Sequence, residues 1–242
     1  MAAIETKGLT KRYGKLVAVD GLDLCVEQGE LFALLGVNGA GKSTTVKMLC
    51  CLTQPTQGEA FVGGFSVTKQ SAQVKGMIGV SPQETAVARN LTVRENLAFM
   101  CGVHGLTKAQ TDRRISRLVE QMGLKAILNK RAGKLSGGWQ RRVSIAMALI
   151  SQPSVLFLDE PTLGLDVIAR SELWDIIRAM KGKVTIVLTT HYMEEAQALS
   201  DRIGIMKDGR LLVVGTAGEL MEKTGTDTFE KAFIAIAKEE AS

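Results

Sequence analysis

Residues 31–43 read Leu31-Phe32-Ala33-Leu34-Leu35-Gly36-Val37-Asn38-Gly39-Ala40-Gly41-Lys42-Ser43. An unbroken apolar run ending on a glycine predicts a strand buried on both faces. From Gly36 to Ser43 the residues fit GxxxxGK[ST], a loop whose glycines let successive N–H groups turn inward around a phosphate. Val46 and Leu49, with Met48 and Leu52 alongside, then change to helical spacing, and Pro55 to Gly58 supplies a turn. Strand, loop and helix in that order set the positive end of the helix dipole against the loop. Lys42 is the candidate for the β- and γ-phosphates of a nucleotide, and the Ser43 hydroxyl the candidate for Mg²⁺. The loop alone leaves kinases, GTPases, helicases and transport motors open.

Around this loop, Leu16 to Val19, Leu22 to Val26, Ala60 to Val62 and Met77 to Val80 read as strands. From Thr92 to about Met122 the spacing turns helical, through Val93, Leu97 and Met100 and then Ile115, Leu118, Val119 and Met122. A glycine turn at Ser136 to Gly138 precedes a helix from about Trp139 to Ile150. Strands follow at Val155 to Leu158 and Thr185 to Thr189, with a short helix at Glu194 to Ser200. Arg202 to Met206 and Arg210 to Val214 form a hairpin across Lys207-Asp208-Gly209. Alternating strands and helices predict an α/β fold with a mainly parallel core sheet. The expected organisation is one domain, with residues 1–88 and 150–242 as the core and about 89–149 as an inserted helical subdomain.

The strand Val155 to Leu158 ends on Asp159-Glu160. Carboxylates at the C-terminal edge of a parallel strand suit phosphate chemistry: Asp159 to hold Mg²⁺ directly or through water, Glu160 to polarise an attacking water.

Composition narrows the class. Over 242 residues, 45% are hydrophobic and 23% charged, which excludes disorder and collagen. The longest uncharged stretch, Val143 to Leu158, is broken by Ser144, Ser151, Gln152, Pro153 and Ser154, and falls short of the roughly 20 apolar residues a spanning helix needs. The opening Met-Ala-Ala-Ile-Glu-Thr-Lys lacks a basic start and apolar core, so a cytoplasmic protein is expected. Cys25, Cys50, Cys51 and Cys101 form no CxxC pair and are expected to be buried, reduced thiols. A net charge of +5 only mildly favours anionic partners. The pairs Lys11-Arg12, Arg113-Arg114, Lys130-Arg131 and Arg141-Arg142 are scattered, aromatic residues are 5%, and solvated faces are expected where a nucleic-acid surface would need a concentrated stripe.

Leu135-Ser136-Gly137-Gly138-Trp139-Gln140 resembles the LSGGQ signature of the ATP-binding-cassette ATPases. With the loop and the carboxylates in the right order, the resemblance runs from about Ile4 to Val214. It implies a RecA-like P-loop NTPase core with an antiparallel β subdomain and the helical insert. It implies ATP and Mg²⁺ as ligands. Nucleotide contacts would come from Tyr13 at the adenine-stacking position, from Gly36, Asn38, Gly39, Ala40, Gly41, Lys42, Ser43 and Thr44, and from Gln83 at the glutamine loop. Mg²⁺ would be held by Ser43, Gln83 and Asp159. Lys42, Glu160 and the switch histidine His191 would be catalytic.

Ser136, Gly137 and Gly138 open a helix and so form a second anion-binding element. The resemblance implies that this element serves the γ-phosphate bound on a second cassette in a homodimer or pseudo-dimer, and that Asp166 of the D-loop Leu163-Gly164-Leu165-Asp166 is a further nucleotide-binding residue. It further implies integral membrane transporter subunits as partners, docking beside Gln83 and the segment Glu84 to Thr92, and a peripheral place on the cytoplasmic face of the inner or plasma membrane. Leu91 to Leu97 and Thr228 to Phe233 look most like ATPases of drug and polysaccharide efflux. A soluble cassette ATPase, or one half of a tandem protein, is the alternative. Trp139 stands where the signature most often has Gln, Leu163 where Ser is commoner, and Val167 where Pro is commoner.

Overall fold

A computed structural model describes residues 2–239. In chain order its elements are β1 (Ala2–Tyr13), β2 (Leu16–Glu27), β3 (Leu31–Leu35), α1 (Lys42–Leu49), β4 (Gln57–Val62), β5 (Phe65–Ser66), α2 (Ser71–Met77), β6 (Ile78–Ser81), α3 (Val93–Val103), α4 (Lys108–Gln121), α5 (Gly137–Ala148), β7 (Val155–Asp159), α6 (Val167–Arg178), β8 (Thr185–Thr190), α7 (Met193–Leu199), β9 (Arg202–Lys207), β10 (Arg210–Gly215), α8 (Ala217–Thr224) and α9 (Phe229–Glu239). The chain divides into two compact units, residues 1–75 with 181–242, and residues 76–180.

The first unit holds two sheets. In one, β2, β1, β4 and β5 lie in that order, every pair antiparallel. In the other, β3 runs parallel to both β8 and β9, and β9 turns back into β10. Every residue of β3 and β8 is buried, as expected for parallel strands covered on both faces. The β9–β10 turn has both Asp208 (φ 48°) and Gly209 (φ 84°) left-handed, the geometry that suits a tight hairpin. The turn then ties the two sheets together, because Asp20 N–H donates to the Gly209 carbonyl at 2.9 Å and Arg210 pairs with the Asp20 carboxylate at 2.9 Å.

In the second unit β6 pairs in parallel with β7, accompanied by α3, α4, α5 and α6. α3 and α4 start on capping boxes. The hydroxyls of Thr92 and Thr107 accept from the N–H groups of Glu95 and Gln110, whose side chains accept in return from the threonine N–H groups.

Several sequence expectations shift. Leu16 to Val19 and Leu22 to Val26 merge into the single strand β2, which faces β1, a strand the alternation did not reveal. Met77 closes α2 and does not open β6; Gln57 already belongs to β4; and the helix expected from Trp139 begins at Gly137 and ends at Ala148. The cysteines need correction: Cys50 and Cys101 are buried and Cys51 half-buried, but Cys25 is exposed. It sits on the outward parity of β2, between buried Leu24 and Val26. Burial pushes the thiols of Cys51 and Cys101 up, which keeps them protonated. No helix among the described residues is long and apolar enough to cross a membrane.

Candidate functional site

In the first unit the loop leaves β3 at Gly36, whose N–H donates to the Thr190 carbonyl at 3.3 Å. A side chain on Gly36 would collide with the Met206 carbonyl of β9, and one on Gly41 would come within 2.5 Å of the Ala18 carbonyl of β2. Gly39 (φ 86°) and Gly41 (φ 100°) are left-handed, so the glycine pattern reflects both crowding and backbone conformation. Val37, Asn38 and Gly39 are exposed, Ala40 is buried, and Ser43 and Thr44 are half-buried in the first turn of α1. Lys42 is only 5% exposed. Its Nζ donates to the carbonyls of Gly36 at 2.7 Å and Val37 at 3.2 Å, so the ammonium lies back over its own loop.

His191 reaches the same edge. β3 and β8 run in parallel register with Leu35 opposite Thr190, so the residue that follows each strand, Gly36 and His191, leaves the sheet side by side. The half-buried imidazole lies 4.1 Å from the Tyr192 ring. Tyr13 ends β1 opposite Leu16, two residues before the Ala18 that crowds Gly41. Its ring is 48% exposed, with the Lys11 ammonium 5.0 Å from the centroid. The first unit therefore brings together Tyr13, the loop and His191.

In the second unit β7 delivers Asp159, and Glu160 follows in the left-handed region (φ 51°) at 6% exposure. A buried non-glycine residue in that conformation carries strain of about 1–3 kcal/mol and is held by its surroundings. The Glu160 carbonyl accepts from Leu163 N–H at 3.2 Å, closing a turn that continues into the left-handed Gly164 (φ 74°). Asp166 then caps α6 by accepting from Ala169 N–H at 2.9 Å. The signature packs on this turn: a side chain on Gly138 would come within 3.0 Å of Ala169 Cβ, and one on Gly137 within 3.8 Å of Leu165. Ser136 is the N-cap of α5, yet its hydroxyl makes no capping bond, and Ser136 and Gly137 are exposed. The first-turn N–H groups of α5 thus begin at the surface beside an uncommitted hydroxyl, as an anion site requires. Trp139 lies under the Arg142 guanidinium, 4.6 Å from its centroid, and Arg142 pairs with Glu172.

Gln83 is exposed and lies outside any helix or strand. The Arg141-Arg142 pair, read from sequence as a solvated face, needs correction: Arg141 is 4% exposed and donates to the carbonyls of Pro82 at 2.6 Å and Gln83 at 2.5 Å. Ser81 and Ser144 hydroxyls meet at 3.0 Å just behind. Asn96, 1% exposed, holds the far end of the same loop: its Oδ1 accepts from Ala88 N–H at 2.8 Å and its Nδ2 donates to the Thr92 carbonyl at 2.9 Å. Both residues were missed because the signal is tertiary; a polar residue on the apolar face of a helix was the available hint.

Residues 19–163 match the family model described as ABC transporter. The chain belongs to this family. This ABC ATPase is 42% identical over 239 residues to the probable multidrug ABC transporter ATP-binding protein YbhF of Escherichia coli, across 96% of the chain but only 41% of YbhF. With the daunorubicin/doxorubicin resistance ATP-binding protein DrrA of Streptomyces peucetius it shares 43% over 226 residues, 93% of this chain and 68% of DrrA. Its fold is similar to the solved ATP-binding subunit of an ABC transporter, with a TM-score of 0.85, 27% identity, and 97% and 99% of the two chains covered. It is also similar to the dimeric cassette MJ0796 in a post-hydrolysis state bound to ADP and Pi, with a TM-score of 0.79, 25% identity, and 88% and 98% covered. The chain is an ATP-binding cassette ATPase with the α/β fold of that family.

Proposed function

We propose that this ABC ATPase is the ATP-hydrolysing motor subunit of a membrane export system, working as a head-to-tail pair of cassettes on the cytoplasmic face of the membrane. The observation that carries the reading is the Lys42 ammonium, drawn over its loop by the Gly36 and Val37 carbonyls at the sheet edge where His191 also emerges. A buried cation resting on two carbonyls beside inward-turning glycines is a ready acceptor for phosphate. The similarity to YbhF, a probable multidrug ABC transporter ATP-binding protein, and to DrrA, a daunorubicin/doxorubicin resistance ATP-binding protein, supports a role in drug export.

In this reading Lys42 holds the β- and γ-phosphates, helped by the main chain of Gly36 to Ser43 and by Thr44, while Tyr13 stacks on adenine. Ser43, Asp159 and Gln83 offer oxygen donors of the hard kind that suits Mg²⁺, which when bound neutralises phosphate charge. Glu160 accepts the proton of the attacking water as the water oxygen bonds to the γ-phosphorus and the bond to the ADP oxygen breaks. His191 contacts the γ-phosphate. Ser136, Gly137 and Gly138 of one cassette, with Asp166 nearby, complete the site of the other. Residues 84–92, fixed at one end by Arg141 and at the other by Asn96, form the docking segment for the membrane subunit.

YbhF is more than twice the matched length, which favours a second reading in which the same cassette works inside a longer chain. Replacing Glu160 by Gln tests the main reading. ATP binding should persist, hydrolysis should stop, and an ATP-dependent dimer should accumulate in size-exclusion chromatography. Continued turnover would remove Glu160 as the base.

A further inference from the structure

One face of α4 is basic. Gln110, Arg113, Arg114 and Arg117 recur at helical spacing and, with Gln152, line a cavity of about 410 Å³. No carboxylate is among the lining residues, and Arg113 and Arg117 make no ion pair among the described residues. Asp112 and Glu120 of the same helix line a separate cavity with Arg94 and Lys125.

Part of the cavity wall is anchored. The Arg114 guanidinium donates to the Ile150 carbonyl just past α5, which staples α4 to the turn that carries Gln152. Gln152 is held left-handed (φ 54°), with its N–H bonded to the Leu149 carbonyl at 3.1 Å. Gln110 Oε1 already accepts from Thr107 N–H at 2.8 Å, so the amide NH₂ is the end of Gln110 that remains to donate into the cavity. The guanidiniums of Arg113 and Arg117 line it as donors beside Arg114 and the Gln110 amide, and the paired N–H groups of a guanidinium match the spacing of phosphate oxygens.

We propose that this cavity binds a phosphate-bearing anion, either a soluble phosphomonoester or the headgroup of an anionic phospholipid. The nucleotide loop belongs to the other unit of the chain. The proposal does not rest on the transport reading.

The full chain, with its nucleotide site saturated by a non-hydrolysable ATP analogue and Mg²⁺, would be titrated with glycerol 3-phosphate by calorimetry. In parallel it would be sedimented with vesicles of phosphatidylglycerol in phosphatidylcholine. Binding of both probes, or of either alone, supports the site and identifies its source of phosphate. In the double variant Arg113→Gln/Arg117→Gln, which touches only exposed side chains, that binding should weaken at least tenfold with the melting temperature unchanged. Arg113→Lys/Arg117→Lys should recover part of it. Binding of neither probe would overturn the proposal. So would an equal loss in the charge-matched variant Lys108→Gln/Lys130→Gln, which alters exposed cations outside the cavity.

Discussion

The guanidinium of Arg141, on the helix that opens with the signature, donates to the main-chain carbonyl of Gln83 at 2.5 Å. This bond, with its companion to Pro82, makes the position of the glutamine loop a property of α5. Because Arg141 is buried, removing it leaves two carbonyls short of a charged donor. Arg141→Ala is expected to cost about 3 kcal/mol in urea unfolding. Arg141→Lys keeps the charge without the fork, and should lower kcat while leaving the ATP dissociation constant nearly unchanged, as steady-state kinetics and equilibrium binding would show.

Asn96 secures the other end of the same segment. Its truncation to Ala strands the Ala88 N–H and the Thr92 carbonyl, with an expected loss of about 2 kcal/mol. Limited proteolysis should then cut first within residues 84–92, while the cutting pattern elsewhere stays as in the unaltered chain.

The start of α3 should respond to pH. Main-chain and hydroxyl bonds from Thr92 hold the Glu95 carboxyl below its ordinary value of 4.5. A lowered value means that folding favours the ionised form, so the contribution is present above that ordinary value and disappears as the pH falls through and below it. Glu95→Ala should therefore lower the melting temperature at about pH 7 and leave it almost unchanged at about pH 3, measured against the unaltered chain in each buffer.

Gly36 and Gly41 are tight for different neighbours, the Met206 and Ala18 carbonyls. Gly41→Ala adds strain at φ 100° to a contact of 2.5 Å, and the loop must move to relieve both. Nucleotide affinity should fall more than tenfold in fluorescence titration, while substitution at the exposed Asn38 should leave the fold intact.

The loop and its flanking elements were legible because the signal is local: an apolar run, glycines whose conformations cannot be supplied by other residues, and a change of period within a few positions. β1 was not, because Thr6 and Thr10 are buried polar residues. Thr6 donates to the Leu22 carbonyl and Thr10 to the Gly8 carbonyl, and pairing with β2 slips between Thr6 and Leu9, so the alternation of apolar residues is broken. α6 was hidden behind Val167 and Ile168, which are 70% and 73% exposed at its start. Arg141 and Asn96 were hidden for another reason: their partners are main-chain carbonyls and N–H groups, which leave no trace in side-chain pattern.

The central claim is that a catalytic site is shared between two cassettes, and mixing two disabled variants tests it directly. Lys42→Ala removes the phosphate-holding ammonium; Ser136→Glu sets a carboxylate at the head of α5, where the serine hydroxyl makes no capping bond that folding needs. Each variant alone should hydrolyse ATP at a small fraction of the normal rate. Mixed in equal amounts, they should regain turnover, because a mixed pair joins the intact Lys42 of one chain to the intact Ser136 of the other. A mixture as inactive as its components, or a Ser136→Glu chain that hydrolyses ATP at full rate, would contradict the claim.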